Sequence, residues 1–381
     1  MKIAYIIDSM SNAAGRERVV SNKATYLTRM GHRVSIITTD QRQRPYYYPL
    51  PPEVTCEDWA INYSDYAGQG MIAKLRAFRQ KEKLFEEKLL AYVEENKPDV
   101  LVAVMDRYLP ALTKAGHDCA TVYEHHFHKE AMQDVRDRSS RMGLQKLVYG
   151  LKDRLYTRYY YNRVDAFAVL TEEDAQKWGK AYRKKIVMPN SIGYNPARTA
   201  DPENKIVVAA GRLTYQKGFD RLLSAWKTVE AGYPDWQLRI YGRGEDEAAL
   251  QQQIEQLKLH NAAILPPTEA IHDRMHEASV FVLSSRFEGL PMILLEAMSE
   301  GLCIVSYDCP CGPKDVIRDG KNGLLAKEGD VEALAEALAR VIRSAYLRKA
   351  LCRQAKADAA RYSHEEIMNR WVETFETLRK K

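Results

Sequence analysis

Two basic side chains in a glycine-bounded loop are the first residues in this sequence whose types indicate chemistry. The loop, Gly211–Gly218 with sequence GRLTYQKG, follows an apolar run over 206–210. Glycine lets the backbone approach a ligand closely, and Arg and Lys at the carboxyl end of a parallel strand are suited to bind phosphate. The alternative is that Arg212 and Lys217 are two solvated surface cations. The loop therefore predicts a phosphate site at one edge of a sheet.

Two glutamates form the second candidate cluster. Glu288 lies in the turn F-E-G-L-P, and Glu296 lies on the helix predicted over 292–300. The free amides of Gly289 and Leu290 at the start of that helix attract an anion. Carboxylates repel phosphate but accept hydrogen bonds from hydroxyl groups, so the pair favours a sugar or ribose next to the phosphate. A solvated Glu296 is the alternative, which its apolar neighbours disfavour.

Two further loops follow predicted strands in the same half. Gly242 belongs to Y-G-R-G, which is equally consistent with a simple tight turn. The loop C-P-C-G-P at 309–313 is predicted to border the same crevice. The six cysteines show no zinc-ligand spacing, and no D-x-D motif occurs anywhere in the chain. We therefore expect no metal ion, and reduced thiols in a cytoplasmic protein.

Alternating apolar runs and amphipathic segments must position these loops. Continuous apolar runs such as 3–7 and 206–210 are typical of parallel strands buried on both faces. Further strands are predicted at 34–38, 100–105, 121–123, 237–241, 280–283 and 303–306. Helices are predicted between strands, including one ending at Met30, one over 75–95 and one over 331–343. The expected fold class is α/β, with two Rossmann-like doubly wound parallel-sheet domains facing a cleft.

The length of 381 residues suits two α/β domains of about 150–200 residues each. The alternation pauses near 187–190, before a polar stretch with two prolines, which predicts a linker. We predict a first domain over 1–189 and a second domain over 190–362. A helix within 363–381 is expected to pack back on the first domain. No stretch approaches the roughly 20 apolar residues that span a bilayer, and the opening MKIAYIID predicts a buried strand.

Together these motifs resemble glycosyltransferase family four. The shared pattern is G-R-L-x-x-x-K-G at 211–218, E-G-L-P with a second Glu over 288–296, C-x-x-G-P at 309–313 and N-G-L-L at 322–325. In the first half, A-G-R-E-R-V at 14–19 is similar to the family's G-G-x-E-R-V loop, with Ala14 in place of the first glycine. The resemblance extends over nearly the whole chain and implies a GT-B fold and a nucleotide-sugar substrate. It also implies that 1–189 is the acceptor-side domain and that 190–362 is the nucleotide-sugar-binding domain.

The resemblance also implies roles for the residues already singled out. Arg212 and Lys217 would neutralise the donor diphosphate, and Glu296 would hold the ribose hydroxyls. Glu288 would contact the transferred sugar. Further donor contacts would come from a set of small or apolar residues: Gly15, Gly211, Gly242, Gly289 and Leu290. His125 resembles the family's histidine beside the donor sugar; His126 is the competing assignment, and two structurally hydrogen-bonded histidines are a third possibility.

The expected function is a retaining, metal-independent hexosyl- or N-acetylhexosaminyltransferase. The resemblance implies that the acceptor hydroxyl attacks from the face that the diphosphate leaves, with a UDP-sugar favoured over a GDP-sugar. The acceptor is expected to be a glycan or a lipid-linked glycan in surface polysaccharide or glycolipid synthesis. Two alternatives are a non-catalytic nucleotide-sugar binding protein and a GT-B epimerase. The intact Arg212, Lys217, Glu288 and Glu296 argue against the binding protein.

A basic segment accounts for most of the chain's net charge of +6. Residues 133–163 contain eight Lys/Arg against three Asp, and leucines and a valine share one helical face with basic flanks. Such a helix fits an anionic membrane interface, which would place the protein peripherally on the inner face of the cell membrane. A helix that packs on the core with solvated basic flanks is the other interpretation. No nucleic-acid-binding module is present, so no nucleic-acid partner is expected.

Overall fold

The computed structural model describes residues 1–12, 14–63, 65, 71–115, 119–129, 154–194, 196 and 198–379. The chain divides into two compact units: Met1–Pro189 together with Ile367–Lys381, and Asn190–Glu366. Most of the predicted basic, leucine-striped segment lies outside the described residues. That part includes Arg136, Arg138, Arg141, Leu144, Lys146, Leu147, Val148, Leu151 and Lys152.

The first unit is built on a seven-stranded sheet with the order β3-β2-β1-β4-β5-β6-β7, in which all pairs are parallel. Its strands are β1 Lys2–Ile7, β2 Arg33–Thr38, β3 Thr55–Asp58, β4 Val100–Ala103, β5 Ala120–Glu124, β6 Ala166–Val169 and β7 Lys185–Val187. Its helices are α1 Gly15–Arg29, α2 Met71–Asn96, α3 Leu109–Ala115 and α4 Glu172–Trp178, with a 3-10 turn at Asp106–Tyr108. Residues 154–161 are also helical.

The second unit is built on a six-stranded parallel sheet with the order β10-β9-β8-β11-β12-β13. Its strands are β8 Ile206–Ala210, β9 Gln237–Tyr241, β10 Ala262–Leu265, β11 Val280–Leu283, β12 Cys303–Asp308 and β13 Leu324–Lys327. Its helices are α5 Phe219–Gly232, α6 Glu247–Leu257, α7 Ile271–His276, α8 Met292–Ser299, α9 Pro313–Val316, α10 Val331–Arg343 and α11 Ala345–Ala359. Two 3-10 turns lie at Tyr215–Lys217 and Ala360–Tyr362. The last helix, α12 His364–Leu378, belongs to the first unit from Ile367 onward.

Both sheets are buried by helices, as their apolar strands require. In the first unit, alternate residues of β1 point to opposite faces: Tyr5 packs with side chains of α1 and α12, whereas Ile6 packs with side chains of α2 and α3. In the second unit, α10 places its apolar stripe in the core. The Asp330 side chain caps that helix by accepting a hydrogen bond from the amide of Ala333 at 2.9 Å.

Several short strands were not predicted from the sequence: β3, β6, β7, β10 and β13. Each has only three or four residues, too few to display a period of two, and β6 (Ala166–Val169) is apolar throughout. Helix α2 also runs over Met71–Asn96 rather than 75–95, and β4 ends at Ala103 rather than 105. Among the described residues, no helix is both long and apolar enough to cross a membrane.

A buried ion pair lies in the core of the first unit. Lys23 Nζ on α1 lies 2.7 Å from Glu124 Oε2 at the end of β5, and both side chains are only 3% exposed. His126 Nε2 lies 3.2 Å from the same oxygen, and Lys23 Nζ is 3.9 Å from the centre of the Trp371 ring. Burial alone would raise the pKa of Glu124, but Lys23 and His126 hold that pKa at about 2. Burial lowers the pKa of Lys23, so desolvation offsets part of the attraction.

We expect Lys23→Met to lower the free energy of unfolding by about 3–5 kcal/mol, because it leaves Glu124 buried and uncompensated. The double variant Lys23→Met/Glu124→Leu should recover most of that loss. Chemical denaturation at neutral pH measures both. The control is Lys205→Met, which removes an exposed pair with Asp235 and should change stability by less than about 1 kcal/mol.

The same pair predicts acid sensitivity. Because the folded-state pKa of Glu124 lies below its ordinary value of 4.5, its stabilising contribution is fully present above that value and is lost as the pH falls toward 2. The double variant should therefore lose less stability than the wild type over that interval. Equal acid sensitivity of the two proteins would contradict this role of Glu124.

Candidate active site

The sheet of the second unit has a topological switch point between β8 and β11. From β8 the chain continues to β9 and β10 on one side, whereas β11, β12 and β13 extend on the other. In open parallel sheets, ligands bind beyond the carboxyl ends of the strands at such a point. The loop Gly211–Gly218 follows β8, and the loop containing Glu288 follows β11, so the two strongest predicted motifs flank the switch point.

The backbones of these two loops are in direct contact. Gly218 has φ +62°, and a Cβ at this position would lie 2.2 Å from the carbonyl oxygen of Ser284. Both its conformation and the close approach therefore require glycine. The Ser284 hydroxyl donates to the carbonyl of Lys217 at 2.9 Å. The predicted phosphate loop is thus held against the glutamate loop at the position where Lys217 emerges.

The other two predicted loops also pack against these. A Cβ at Gly242 would lie 2.0 Å from the carbonyl oxygen of Gly211, whose amide donates to the carbonyl of Tyr241 at 3.0 Å. A Cβ at Gly312, where φ is +100°, would lie 2.7 Å from the carbonyl oxygen of Gly289. All four sequence clusters of the second half therefore meet at one edge of one sheet.

Lys217 and Glu288 form an ion pair across the two loops. Lys217 Nζ donates to Glu288 Oε1 at 2.7 Å, and the Ser285 hydroxyl donates to the same oxygen at 2.6 Å. Both charged side chains are largely buried. Arg212 is exposed and donates to the side-chain oxygen of Gln216 at 3.4 Å. Within the described part of the chain it has no carboxylate partner.

Arg286, which fixes the loop Gly211–Gly218, was not predicted from the sequence as a candidate residue. Its guanidinium donates to both carboxylate oxygens of Asp220 at 2.8 and 2.6 Å and to the carbonyl of Tyr215 at 2.7 Å. It also lies 3.9 Å from the centre of the Tyr215 ring. Arg286 and Asp220 are 66 residues apart in the chain, so no local pattern could reveal the pair. The bidentate contact keeps the segment containing Lys217 in one conformation.

The helix after Glu288 begins at Met292, with Pro291 at its N-cap and no side chain capping it. Its first amides, and those of Gly289 and Leu290 before it, therefore lie at the positive end of the helix dipole. Glu296 lies in the second turn of this helix and is buried. Glu288 thus lies on the loop before α8, and Glu296 lies on the helix itself, as the sequence predicted.

The cysteines of the C-P-C-G-P loop are buried. Burial, with a smaller contribution from the charge of Glu288, raises the pKa of the Cys309 thiol well above its ordinary value. That thiol is therefore neutral and packs as a small apolar group. In the described part of the chain, no cluster of three or more His, Cys, Asp or Glu residues has an arrangement that could hold a metal ion.

The remaining predicted residues, Gly15 and His125, lie in the first unit. Gly15 begins α1, and a Cβ at this position would meet no atom of the described residues within 4 Å. Next to it, Arg16 Nη2 lies 3.5 Å from Oδ2 of Asp8, which follows β1. This loop follows β1 beside the switch point of the first sheet, between β1 and β4.

The two candidate histidines have different surroundings. His125 Nδ1 lies 3.2 Å from the hydroxyl of Tyr123, and its ring makes an edge contact with Trp178. Burial, with the nearby His126 and His128, lowers the pKa of His125 to about 3, so its ring is neutral. His125 Nε2 is buried and has no hydrogen-bond partner among the described residues. His126 instead contacts Glu124 in the buried ion pair.

Both units of this chain are similar to known glycosyltransferases. The sequence profile described as Glycosyltransferase Family 4 matches residues 13–192, and the profile described as Glycosyl transferases group 1 matches residues 194–358. The amylovoran biosynthesis glycosyltransferase AmsD of Erwinia amylovora is 28% identical over 97% of this chain and 98% of its own length. The Campylobacter jejuni GalNAc-alpha-(1->4)-GalNAc-alpha-(1->3)-diNAcBac-PP-undecaprenol alpha-1,4-N-acetyl-D-galactosaminyltransferase is 25% identical over 98% of this chain and 97% of its own.

Solved structures confirm the predicted GT-B fold class with two Rossmann-like parallel-sheet domains. A point mutant of S. aureus TarM in complex with Fondaparinux, alpha-GlcNAc-glycerol and UDP has a TM-score of 0.74 at 14% identity, covering 98% of this chain and 100% of that one. Anabaena HepE in complex with UDP and glucose has a TM-score of 0.74 at 18% identity, covering 99% of both chains. Since the two profiles together span both units and the relatives align over almost the full length, the chain is a glycosyltransferase that belongs to glycosyltransferase family four.

Proposed function

We propose that this protein is a retaining, metal-independent transferase that moves a hexose or N-acetylhexosamine from a UDP-sugar to a glycan or lipid-linked acceptor. The observation that carries the proposal is the Lys217–Glu288 pair at the switch point of the second sheet, with the exposed Arg212 on the same loop as Lys217. This arrangement provides positive charge for a diphosphate and carboxylates for sugar hydroxyls at the same edge.

The charges at this edge suit a leaving diphosphate. An ammonium group has three N–H donors, and Lys217 uses one of them on Glu288. The others remain for phosphate oxygens, together with the guanidinium of Arg212. The amides of Gly289 and Leu290 add the dipole of α8. These donors would stabilise the negative charge that develops on the diphosphate as the bond to the sugar breaks, which is the task that a divalent ion performs in metal-dependent sites.

The proposed stereochemical course does not use a protein nucleophile. The acceptor oxygen forms its bond to the anomeric carbon on the face from which the diphosphate leaves. The bond between the anomeric carbon and the phosphate oxygen breaks, and a phosphate oxygen takes the acceptor proton. The configuration at the anomeric carbon is retained. His125, neutral and with Nε2 unpartnered among the described residues, would hydrogen-bond to the sugar.

The relatives support the choice of donor and acceptor. UDP is bound in the TarM and HepE structures. The Erwinia relative is named for amylovoran biosynthesis, and the acceptor in the name of the Campylobacter relative is a glycan on a diphosphate-linked undecaprenol. A lipid-held acceptor fits the basic segment over 133–163, so the proposal includes peripheral contact with an anionic membrane.

We expect UDP to bind with unchanged affinity in excess EDTA, because cationic side chains rather than a metal ion would hold the diphosphate. Lys217→Gln should weaken binding by about 1.5–3 kcal/mol, as for the loss of a charged hydrogen bond. Arg340→Gln, on the exposed side of α10, makes the same change in charge and should have no effect. Calorimetry measures all three; affinity that disappears on chelation would refute metal independence.

We expect Glu296→Ala to weaken UDP binding by about 1–3 kcal/mol through loss of ribose hydrogen bonds. His125→Ala should leave the Kd for UDP unchanged and lower kcat. His126→Ala should mainly lower stability, because it removes a contact to the buried Glu124. Calorimetry, steady-state kinetics and thermal unfolding separate these effects. Unchanged UDP affinity of Glu296→Ala would rule out the ribose assignment, and a kcat loss in His126→Ala alone would reverse the histidine assignment.

The anomeric outcome tests the reaction class. A screen of nucleotide sugars for an increase in Tm identifies the donor, and NMR of the product formed from it gives the anomeric proton coupling. We expect an α-linked product from an α-configured donor. A β-linked product would show inversion and would contradict the proposed same-face attack.

A further inference from the structure

A basic cavity lies in the first unit, beside the last two strands of its sheet. It has a volume of about 310 Å³ and is lined by Arg158, Asn162, Ala181, Arg183 and Lys184. One wall, with Arg158 and Asn162, precedes the amino end of β6. The other wall, with Ala181, Arg183 and Lys184, precedes the amino end of β7. His125 instead follows the carboxyl end of β5 in the same parallel sheet. The cavity therefore opens at the opposite edge of the sheet from that histidine.

The walls of the cavity are fixed by one amide side chain. Asn162 Nδ2 donates to the carbonyls of Arg158 and Ala181, both at 2.9 Å. Asn162 Oδ1 accepts a hydrogen bond from the amide of Arg183 at 2.9 Å. These three bonds join the helical residues 154–161 to the loop before β7. The neighbouring cations are thereby held together on a defined scaffold.

The cations of this cavity are poorly compensated. Residues 154–163 and 180–185 together contain seven Lys/Arg and no Asp or Glu. Arg158 and Arg183 are exposed, and within the described ranges neither has a carboxylate partner. Among the described residues, the carboxylate contact of Lys184 Nζ is one of 3.7 Å with Asp165 Oδ1. Like charges gathered this closely repel one another, and an anion bound between them would relieve that repulsion.

Exposed apolar side chains lie beside the cavity. Leu155 and Tyr159 are 61% and 50% exposed, and their spacing of four places them on one face of the helix. Arg154 and Arg158 occupy the adjacent face with the same spacing. Arg163 lies 3.5 Å from the centre of the Tyr159 ring. A leucine, an aromatic ring and arginines on adjoining faces are the composition of a surface that enters a membrane interface.

We propose that this cavity binds the phosphate of an anionic lipid headgroup while Leu155 and Tyr159 enter the interface. Arg158 and Arg183 would each present paired N–H donors to the phosphate oxygens, and Lys184 would add a point charge. The proposal deepens the membrane contact included in the proposed function, on which it rests, and it assigns that contact to described residues. It does not depend on the chemistry of the transfer step.

The test is co-sedimentation of the full chain with phosphatidylglycerol vesicles at low salt, with phosphatidylcholine vesicles as the neutral comparison. Each cation near an anionic surface contributes roughly a factor of five in binding, so Arg158→Gln/Arg183→Gln/Lys184→Gln should weaken partitioning about a hundred-fold. The matched control, Lys321→Gln/Arg340→Gln/Arg353→Gln, removes three exposed cations of the second unit and should retain wild-type partitioning. Leu155→Ser should weaken the binding that remains at high salt, where charge is screened.

The outcomes separate this inference from the proposed function. If the wild type binds phosphatidylglycerol vesicles and both triple variants bind equally well, the cavity assignment is wrong and the membrane contact lies elsewhere. If the wild type does not bind at low salt, both the membrane contact and the cavity assignment fail. Transfer to a soluble acceptor should be unchanged in the cavity variant. A loss of that activity with an unchanged Tm would also overturn the inference, because it would make the cavity part of the catalytic apparatus.

Discussion

The backbone contact between the loops that leave β8 and β11 is the constraint on which the candidate site depends. Gly218 combines φ +62° with a carbonyl oxygen 2.2 Å from the position of a Cβ, so a side chain there would both strain the turn and separate the loops. The same contact brings Lys217 within 2.7 Å of Glu288, 71 residues further along the chain. Loops in looser contact would leave these two charges solvated and mobile.

Two lysine–glutamate pairs of the molecule lie in different surroundings. In the first unit, Lys23 and Glu124 pair with each other and are enclosed in the core. In the second unit, Lys217 is paired with Glu288 at a sheet edge and shares its loop with the exposed Arg212. A buried pair resists exchange of partners because each charge would have to be left uncompensated. A pair at a sheet edge can share its lysine with a phosphate oxygen, and the proposed donor binding would use this property.

The sequence was sufficient for the fold class and for the loops that form the candidate site, because these depend on local patterns. Apolar runs mark the central strands, and glycines flanked by Arg, Lys or Glu mark the loops after β8 and β11. Short strands such as β10 were not predictable, because they are too short to show a period. The bidentate contact of Arg286 with Asp220 was not predictable either, because only the sheet order brings these two residues together. The environments of His125 and His126 likewise depend on Tyr123, Trp178 and Glu124 packing around them.

A crystal structure of the full chain with UDP bound in the absence of divalent ions would test the proposed donor site. We expect the diphosphate to lie beyond β8 and β11, with a phosphate oxygen within hydrogen-bond distance of Lys217 Nζ and the ribose hydroxyls on Glu296. The Lys217–Glu288 contact should lengthen or be shared with the phosphate. A diphosphate that binds away from Lys217, with the ion pair unchanged, would show that this edge of the sheet is not the donor site.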